Sequence, residues 1–178
     1  MRAMRILRNM SAPTIGLIVF VILAAIAFSG PLTGHGSPES FAKSYTLTLT
    51  DMNGKPVRLS DFKNKLVIAY AWASWCPYCA DELQNLSKLR STYGDKVQVV
   101  AINRAEPAPI AQAYVSGLTN VQGIVFLLDP SDSFFKSIGG YAMPETEFIQ
   151  QDGTVVYHQH GPLSYDDASQ EVQKLVGQ

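Results

Sequence analysis

Residues 66–71, Leu-Val-Ile-Ala-Tyr-Ala, run without a charged or strongly polar break. A strand with one wet face alternates apolar and polar residues, so an unbroken run describes a strand covered on both faces, as in the middle of an α/β sheet. The next residues support that reading. The stretch Ala80 to Tyr93 gathers Leu83, Leu86 and Leu89 on one helical face together with Cys79, and puts Asp81, Gln84, Lys88 and Arg90 mostly elsewhere. Gly94 stops that helix, and Val97 to Ile102 supplies a second apolar strand. Strand, helix and strand make a βαβ unit, whose crossover is right-handed.

The junction of the first strand and the helix carries the only two cysteines of the chain, in Trp75-Cys76-Pro77-Tyr78-Cys79. The thiolate is the nucleophile in disulfide exchange, and a helix N-terminus favours it through unpaired N–H groups and the helix dipole. With Cys76 near the N-cap, Pro77 falls at the first helical position, where it loses no hydrogen bond. Cys79 follows one turn deeper on the same face. The spacing therefore predicts an exposed, attacking Cys76 and a shielded, resolving Cys79. Two other readings stay open. Two cysteines at this spacing make half a zinc site, which His158 and His160, two apart on a predicted strand, could complete. Otherwise the pair is inert and buried.

At 178 residues and 47% apolar composition, the chain suits one domain plus an extension. A net charge of −1 leaves no basic footprint, which disfavours nucleic acid. The extension is N-terminal: Arg2, Arg5 and Arg8 precede an uncharged run from Ser11 to Gly34, most apolar from Ile15 to Phe28. Basic residues ahead of an apolar stretch keep the N-terminus in the cytoplasm and send the rest across. The sequence thus predicts a basic terminus (1–11), a transmembrane anchor (12–32), a Gly/Pro/Ser-rich linker (33–44) and a domain (45–178) on the far side of the membrane. Cleavage after Ala25-Ile26-Ala27 is the competing outcome, and it too leaves both thiols outside the cytoplasm.

Within the domain, Tyr45 to Thr50 alternates as a half-buried strand, Asn53-Gly54 makes a two-residue turn, and Val57 to Leu59 returns. Ser60-Asp61 caps a short turn ending at Lys65. Beyond the βαβ unit, Pro109 opens a short helix through Val115 that Gly117 stops, Ile124 to Leu128 is a strand, and Ser131 to Ile138 a helix ending at Gly139-Gly140. A strand follows Pro144 and runs through Ile149. Gln151-Asp152-Gly153 turns the chain, and Thr154 to His160 is the last strand, with His158 and His160 sharing a solvated face with Val156. Ser164 caps a final helix, Tyr165 to Val176.

Val67 to Cys79, VIAYAWASWCPYC, resembles the active-site segment of the thioredoxin superfamily. The opening hairpin and the inserted αβ segment between Arg104 and Gln122 are similar to those of TlpA/ResA-like thioredoxins. Pro144-Glu145-Thr146, Asp152-Gly153 and His160-Gly161-Pro162-Leu163 resemble the ending of the cytochrome c maturation thioredoxins of the CcmG/DsbE type. The resemblance implies an α/β thioredoxin fold, a central mixed sheet flanked by helices, with an N-terminal β-hairpin and an αβ insertion. It implies a cis bond before Pro144, facing the cysteines and offering the Met143 backbone to an extended substrate, with Trp75, Pro77 and Tyr78 completing the contact surface. It also implies that Cys76 and Cys79 are catalytic, that the redox-active disulfide is the only cofactor, and that no metal is held.

The same resemblance implies partners: exported protein thiols and disulfides, among them apocytochrome c, and a transmembrane thiol electron donor. Ordinary thioredoxins carry a buried aspartate where Tyr70 stands, and ResA-like and CcmG-like proteins a glutamate where Glu82 stands, so Glu82 is expected to take the Cys79 proton. Glu145 is expected at the rim beside Pro144. Two features depart from the pattern: Gln84 replaces a helix-kinking proline, and Glu147 occupies a position that is usually apolar. A copper-delivery protein of the same fold and a thiol peroxidase remain the alternative classes.

Overall fold

A computed structural model describes residues 44–62 and 64–177. The expected basic terminus, anchor and nearly all of the linker lie outside the described residues. Among the described residues, no helix is long and apolar enough to cross a membrane.

Seven strands form one sheet: β1 (Leu49–Asp51), β2 (Pro56–Val57), β3 (Leu66–Trp72), β4 (Val97–Arg104), β5 (Ile124–Asp129), β6 (Glu145–Ile149) and β7 (Val155–His160). Their order is β2-β1-β5-β4-β3-β6-β7. β3, β4 and β5 are parallel, and the β1–β2, β1–β5, β3–β6 and β6–β7 pairs are antiparallel. The helices are α1 (Cys79–Tyr93), α2 (Ala108–Gly117), α3 (Ser133–Ser137) and α4 (Tyr165–Val176).

Every residue of β3 is buried, as its unbroken apolar run demands. Leu66, Ile68, Tyr70 and Trp72 pack under Leu83, Leu86 and Leu89 of α1, Ala111 of α2 and Val172 of α4. Val67, Ala69 and Ala71 point the other way, toward Leu59 and toward Phe134, Phe135 and Ile138 in and after α3. The sheet therefore separates two cores, and the cysteines belong to the first. This mixed sheet flanked by helices is the architecture that the resemblance implies.

Several boundaries differ from expectation for physical reasons. Residues 44–46 form a helical turn rather than the start of a strand. Extended structure begins only at Leu49, where Val57 and then Leu128 and Leu127 supply partners. The hairpin loop is wider than the two residues expected, because the Asp51 carboxylate gathers it by accepting from the N–H groups of Asn53 (2.8 Å) and Lys55 (2.9 Å). Gly54 sits there at φ 83°, a conformation that disfavours other residues. Leu59–Asp61 is a 3-10 turn rather than the end of β2.

The most consequential difference lies in β7. Ile149 pairs with Val155 while its neighbour Phe148 pairs with Tyr157, so Val156 is extra. A bulge of this kind reverses which side chains share a face. His158 and His160 consequently share the face of Val155, opposite Glu147 and Glu145, and Val156 is left exposed. That single residue withdraws His158 from the solvated face expected of it, whereas His160, at the end of the strand, stays exposed.

Candidate active site

The chain leaves β3 at Trp72 and turns tightly. The Cys76 N–H donates to the Ala73 carbonyl (3.1 Å), and the Cys79 N–H donates to the Cys76 carbonyl (3.3 Å). Cys76 and Cys79 are joined as a disulfide with their Cα atoms 5.5 Å apart. The first α-type bond runs from the Glu82 N–H to the Tyr78 carbonyl, so the helix begins at Cys79 with Tyr78 at its cap position. Cys76 and Pro77 thus precede the cap rather than forming the N-cap and first helical position, because a three-residue turn is interposed. Nor is Cys76 exposed in this disulfide form: it retains 3% of its surface and Cys79 none. The accessible residues around it are Trp75 (61%), Pro77 and Tyr78 (58%).

A residue that sequence reasoning missed holds the turn. The Glu106 carboxylate, just beyond β4, accepts from the Ser74 N–H (2.8 Å), the Ser74 hydroxyl (2.5 Å) and the Asn103 amide (2.6 Å). Partial burial works against its charge, but these donors outweigh it and hold the carboxyl below its ordinary range. Glu106 lies in the αβ insertion, and nothing in its spacing ties it to Ser74, 32 residues earlier.

Glu82 stands three residues after Cys79 on α1 and is 4% exposed. Its Oε1 accepts from the Thr146 hydroxyl of β6 (3.3 Å) and its Oε2 from the Leu163 N–H (3.2 Å). Burial pushes this carboxyl up to about 7, against the pull of those two donors. Tyr70, at the position of the usual aspartate, is wholly buried, and among the described residues its hydroxyl has no hydrogen-bond partner. Burial, the Glu82 charge and Tyr114 keep its phenol well above the ordinary value, so Tyr70 stays protonated. Glu82, three residues after Cys79 on α1, is thus a buried carboxyl on the helix that carries the second cysteine.

The Met143–Pro144 bond is cis. Glu145 pairs with Ala71, so Pro144 stands beside the end of β3 from which the cysteine turn departs. The Pro144 carbonyl accepts from the Gly161 N–H (2.8 Å), with Gly161 at φ 79°. Tyr141, 77% exposed, belongs to the same rim and was not foreseen.

Glu145 is not an exposed rim residue: its side chain is wholly buried. Oε1 accepts from the N–H groups of Tyr141 (2.9 Å) and Ala142 (2.8 Å), which ties down the segment leading to Pro144. Oε2 meets His158 Nε2 at 2.7 Å and His160 Nδ1 at 2.6 Å. Burial opposes the charge of Glu145, but His158 and the two N–H groups hold its carboxyl below the ordinary range. Glu147, unexplained from sequence, lies opposite His158 in register, and burial pushes its carboxyl up to about 7. Among the described residues, the one group spaced to hold a metal ion is Glu145, His158 and His160, and it includes neither cysteine.

The arrangement can store two electrons as a dithiol and release them as the Cys76–Cys79 bond forms, with a carboxyl near pKa 7 available to a thiol proton. Comparison with known proteins agrees with that chemistry. The chain is 25% identical over 166 residues to the thiol-disulfide oxidoreductase ResA of Bacillus thuringiensis subsp. konkukian, covering 90% of this chain and 94% of that one. It is 26% identical over 174 residues to the thiol:disulfide interchange protein DsbE of Allochromatium vinosum, covering 91% of each. Among solved structures, the exposed lipoprotein thioredoxin of Streptococcus pneumoniae strain TIGR4 superposes with a TM-score of 0.65 at 26% identity, over 72% of this chain and 98% of that one. Residues 36–175, which take in both cysteines, Pro144 and all but the last residue of helix α4, match the family described as Redoxin, and the chain belongs to it.

Proposed function

We propose that this thiol-disulfide oxidoreductase works as a reductase of disulfides in exported proteins, apocytochrome c among them, from a membrane tether that keeps the domain outside the cytoplasm. The observation that carries the reading is the Cys76–Cys79 disulfide with the buried Glu82 carboxyl, raised to about 7, one turn into α1. In the reduced protein the Cys76 thiolate attacks one sulfur of a partner disulfide. That S–S bond breaks, a partner thiolate leaves, and a mixed disulfide forms. Cys79 passes its proton to Glu82, and its sulfur attacks Cys76 Sγ. The second partner thiolate leaves, so the partner has gained two electrons and the Cys76–Cys79 bond has formed. Trp75, Pro77, Tyr78 and the Met143–Pro144 backbone receive the partner chain. A transmembrane thiol donor re-reduces the disulfide.

The reducing direction is favoured by the modest length of the insertion between Arg104 and Gln122, since periplasmic oxidants with Cys-Pro-x-Cys carry a much larger helical insertion there. The tether rests on the N-terminal charge pattern, and the pneumococcal neighbour is itself a lipoprotein by name. The reduction potential tests direction. Equilibration with glutathione or dithiothreitol should give a value well below about −200 mV, whereas one near about −120 mV would make the protein an oxidant.

A further inference from the structure

We infer that Glu145, His158 and His160 bind a single divalent transition-metal ion, zinc by ligand type, on the sheet face opposite the disulfide. Two imidazoles and one carboxylate are a familiar zinc donor set, and three protein ligands leave a fourth position open for water or a partner's side chain.

The bulge in β7 creates the site. It turns His158 and His160 to the face of Glu147 and Glu145, and directly across the strand pair. His158 Nε2 and His160 Nδ1 then converge on the same oxygen, Glu145 Oε2, at 2.7 and 2.6 Å. The three ligand atoms lie within 4.8 Å of one another. Zinc bonds of about 2.0–2.1 Å in a tetrahedron need ligand atoms about 3.3 Å apart, a change that small rotations of the two rings accomplish. The carboxylate needs no rearrangement: its other oxygen is held by the Tyr141 and Ala142 N–H groups, the outer-shell support that orients a metal-binding carboxylate.

A separate observation points the same way. Glu147 is wholly buried beside the cluster, opposite His158, and among the described residues its Oε1 has no hydrogen-bond partner. A buried carboxyl left partly unsatisfied is costly, and a nearby cation offsets that cost. The way in is from the His160 side, where the side chain is 34% exposed and stacks against Tyr141 at 4.3 Å. With neutral rings, the two N–H protons now donated to Glu145 move to the other nitrogen of each ring, and the metal takes their place. Glu145 follows Pro144 directly, so an ion here would bear on the rim that receives substrate.

The test uses the full chain in its disulfide form. Cys76 and Cys79 are its only cysteines, so no thiol competes for metal. Titration with zinc should show one equivalent bound, and cobalt(II) should give the visible bands of a tetrahedral site. The ring-nitrogen NMR resonances of His158 and His160 should shift on adding that equivalent. Loss of an outer-shell partner weakens metal affinity by about 10- to 100-fold, so loss of a direct ligand in His160→Gln should weaken it by more than about 100-fold. Zinc that does not bind, zinc that binds while both resonances stay put, or a folded His160→Gln variant of unchanged affinity would overturn the proposal. Should that variant misfold, the wild-type resonances decide. None of these failures bears on the thiol chemistry, which uses none of these three residues.

Discussion

At the residue scale, the proposed chemistry rests on the two sulfurs and Glu82, and each can be removed singly. Cys76→Ala should abolish reduction of insulin disulfides. Cys79→Ala, keeping the attacking thiol but losing the resolving one, should accumulate covalent adducts with partners that survive non-reducing electrophoresis. If Cys76→Ala traps partners instead, the roles are exchanged. Glu82 makes a prediction in pH. Its carboxyl moves from an ordinary 4.5 to about 7 on folding because burial disfavours the ion. Below about 4.5 it is protonated folded or unfolded and costs nothing. Between there and about 7 only the unfolded chain ionises, so folding loses stability as pH rises, by an amount on the order of 3 kcal/mol that is constant above 7. Glu82→Gln should therefore match the wild type at acid pH and exceed its stability in weak base. The same change should slow resolution of the mixed disulfide by roughly 100-fold where Glu82 is ionised, and should abolish the rise of that rate around pH 7. A variant whose rate and pH profile match the wild type would make Glu82 a structural residue. The sequence marked Glu82 by position alone. Its burial depends on Thr146 and the Leu163 N–H, which arrive from 64 and 81 residues away.

At the element scale, what could be read depended on how local the determinant was. β3, α1 and β4 announce themselves through apolar period, and α4 through Ser164, whose hydroxyl accepts from the Asp167 N–H (3.1 Å). The β7 bulge left no such mark: alternation through Thr154–His160 puts the histidines outward, and only the pairing with β6 shows that Val156 is the extra residue. The same limit hid Glu106, and the inward turn of Glu145 and Glu147 with it. The five-residue α3 shows a third case. It is too short to be stable by propensity, and it begins later than Ser131 because Asp129 organises its start. The Asp129 carboxylate accepts from the hydroxyls of Ser131 (2.9 Å) and Ser133 (2.8 Å) and from the Phe134 N–H (2.7 Å). Phe134 is wholly buried, so Asp129→Ala should strand that N–H and cost about 1–3 kcal/mol in urea unfolding. Asp129→Asn, which keeps an acceptor, should recover part of the loss. A change under about 0.5 kcal/mol would place the helix's support in the ion pair and ring contact of Arg104 with Asp132 and Phe135 instead.

At the scale of the whole molecule, the question is where the domain works. A two-cysteine chain gains nothing from a reversible disulfide unless its partners carry disulfides, and these persist in oxidising compartments. The N-terminal pattern supplies the matching address: three arginines within the first eight residues, then an uncharged run from Ser11 to Gly34. By the positive-inside rule such a pattern predicts a cytoplasmic N-terminus, and about 20 apolar residues suffice to span the bilayer. The proposed tether would also confine the disulfide to a thin layer shared with a transmembrane donor and newly translocated chains, which would raise their effective concentration without any added contact. In cells, the chain should sediment with membranes at its full mass of 19.5 kDa and resist extraction by salt or alkali. A membrane-impermeant maleimide should label reduced Cys76 in intact spheroplasts, with no need to breach the membrane. Cleavage after Ala27 would instead release a soluble product beginning at Phe28, and would retain the outward thiols while removing the tether. Labelling that appears only after lysis would place the cysteines inside, and the account of exported substrates would fall with it.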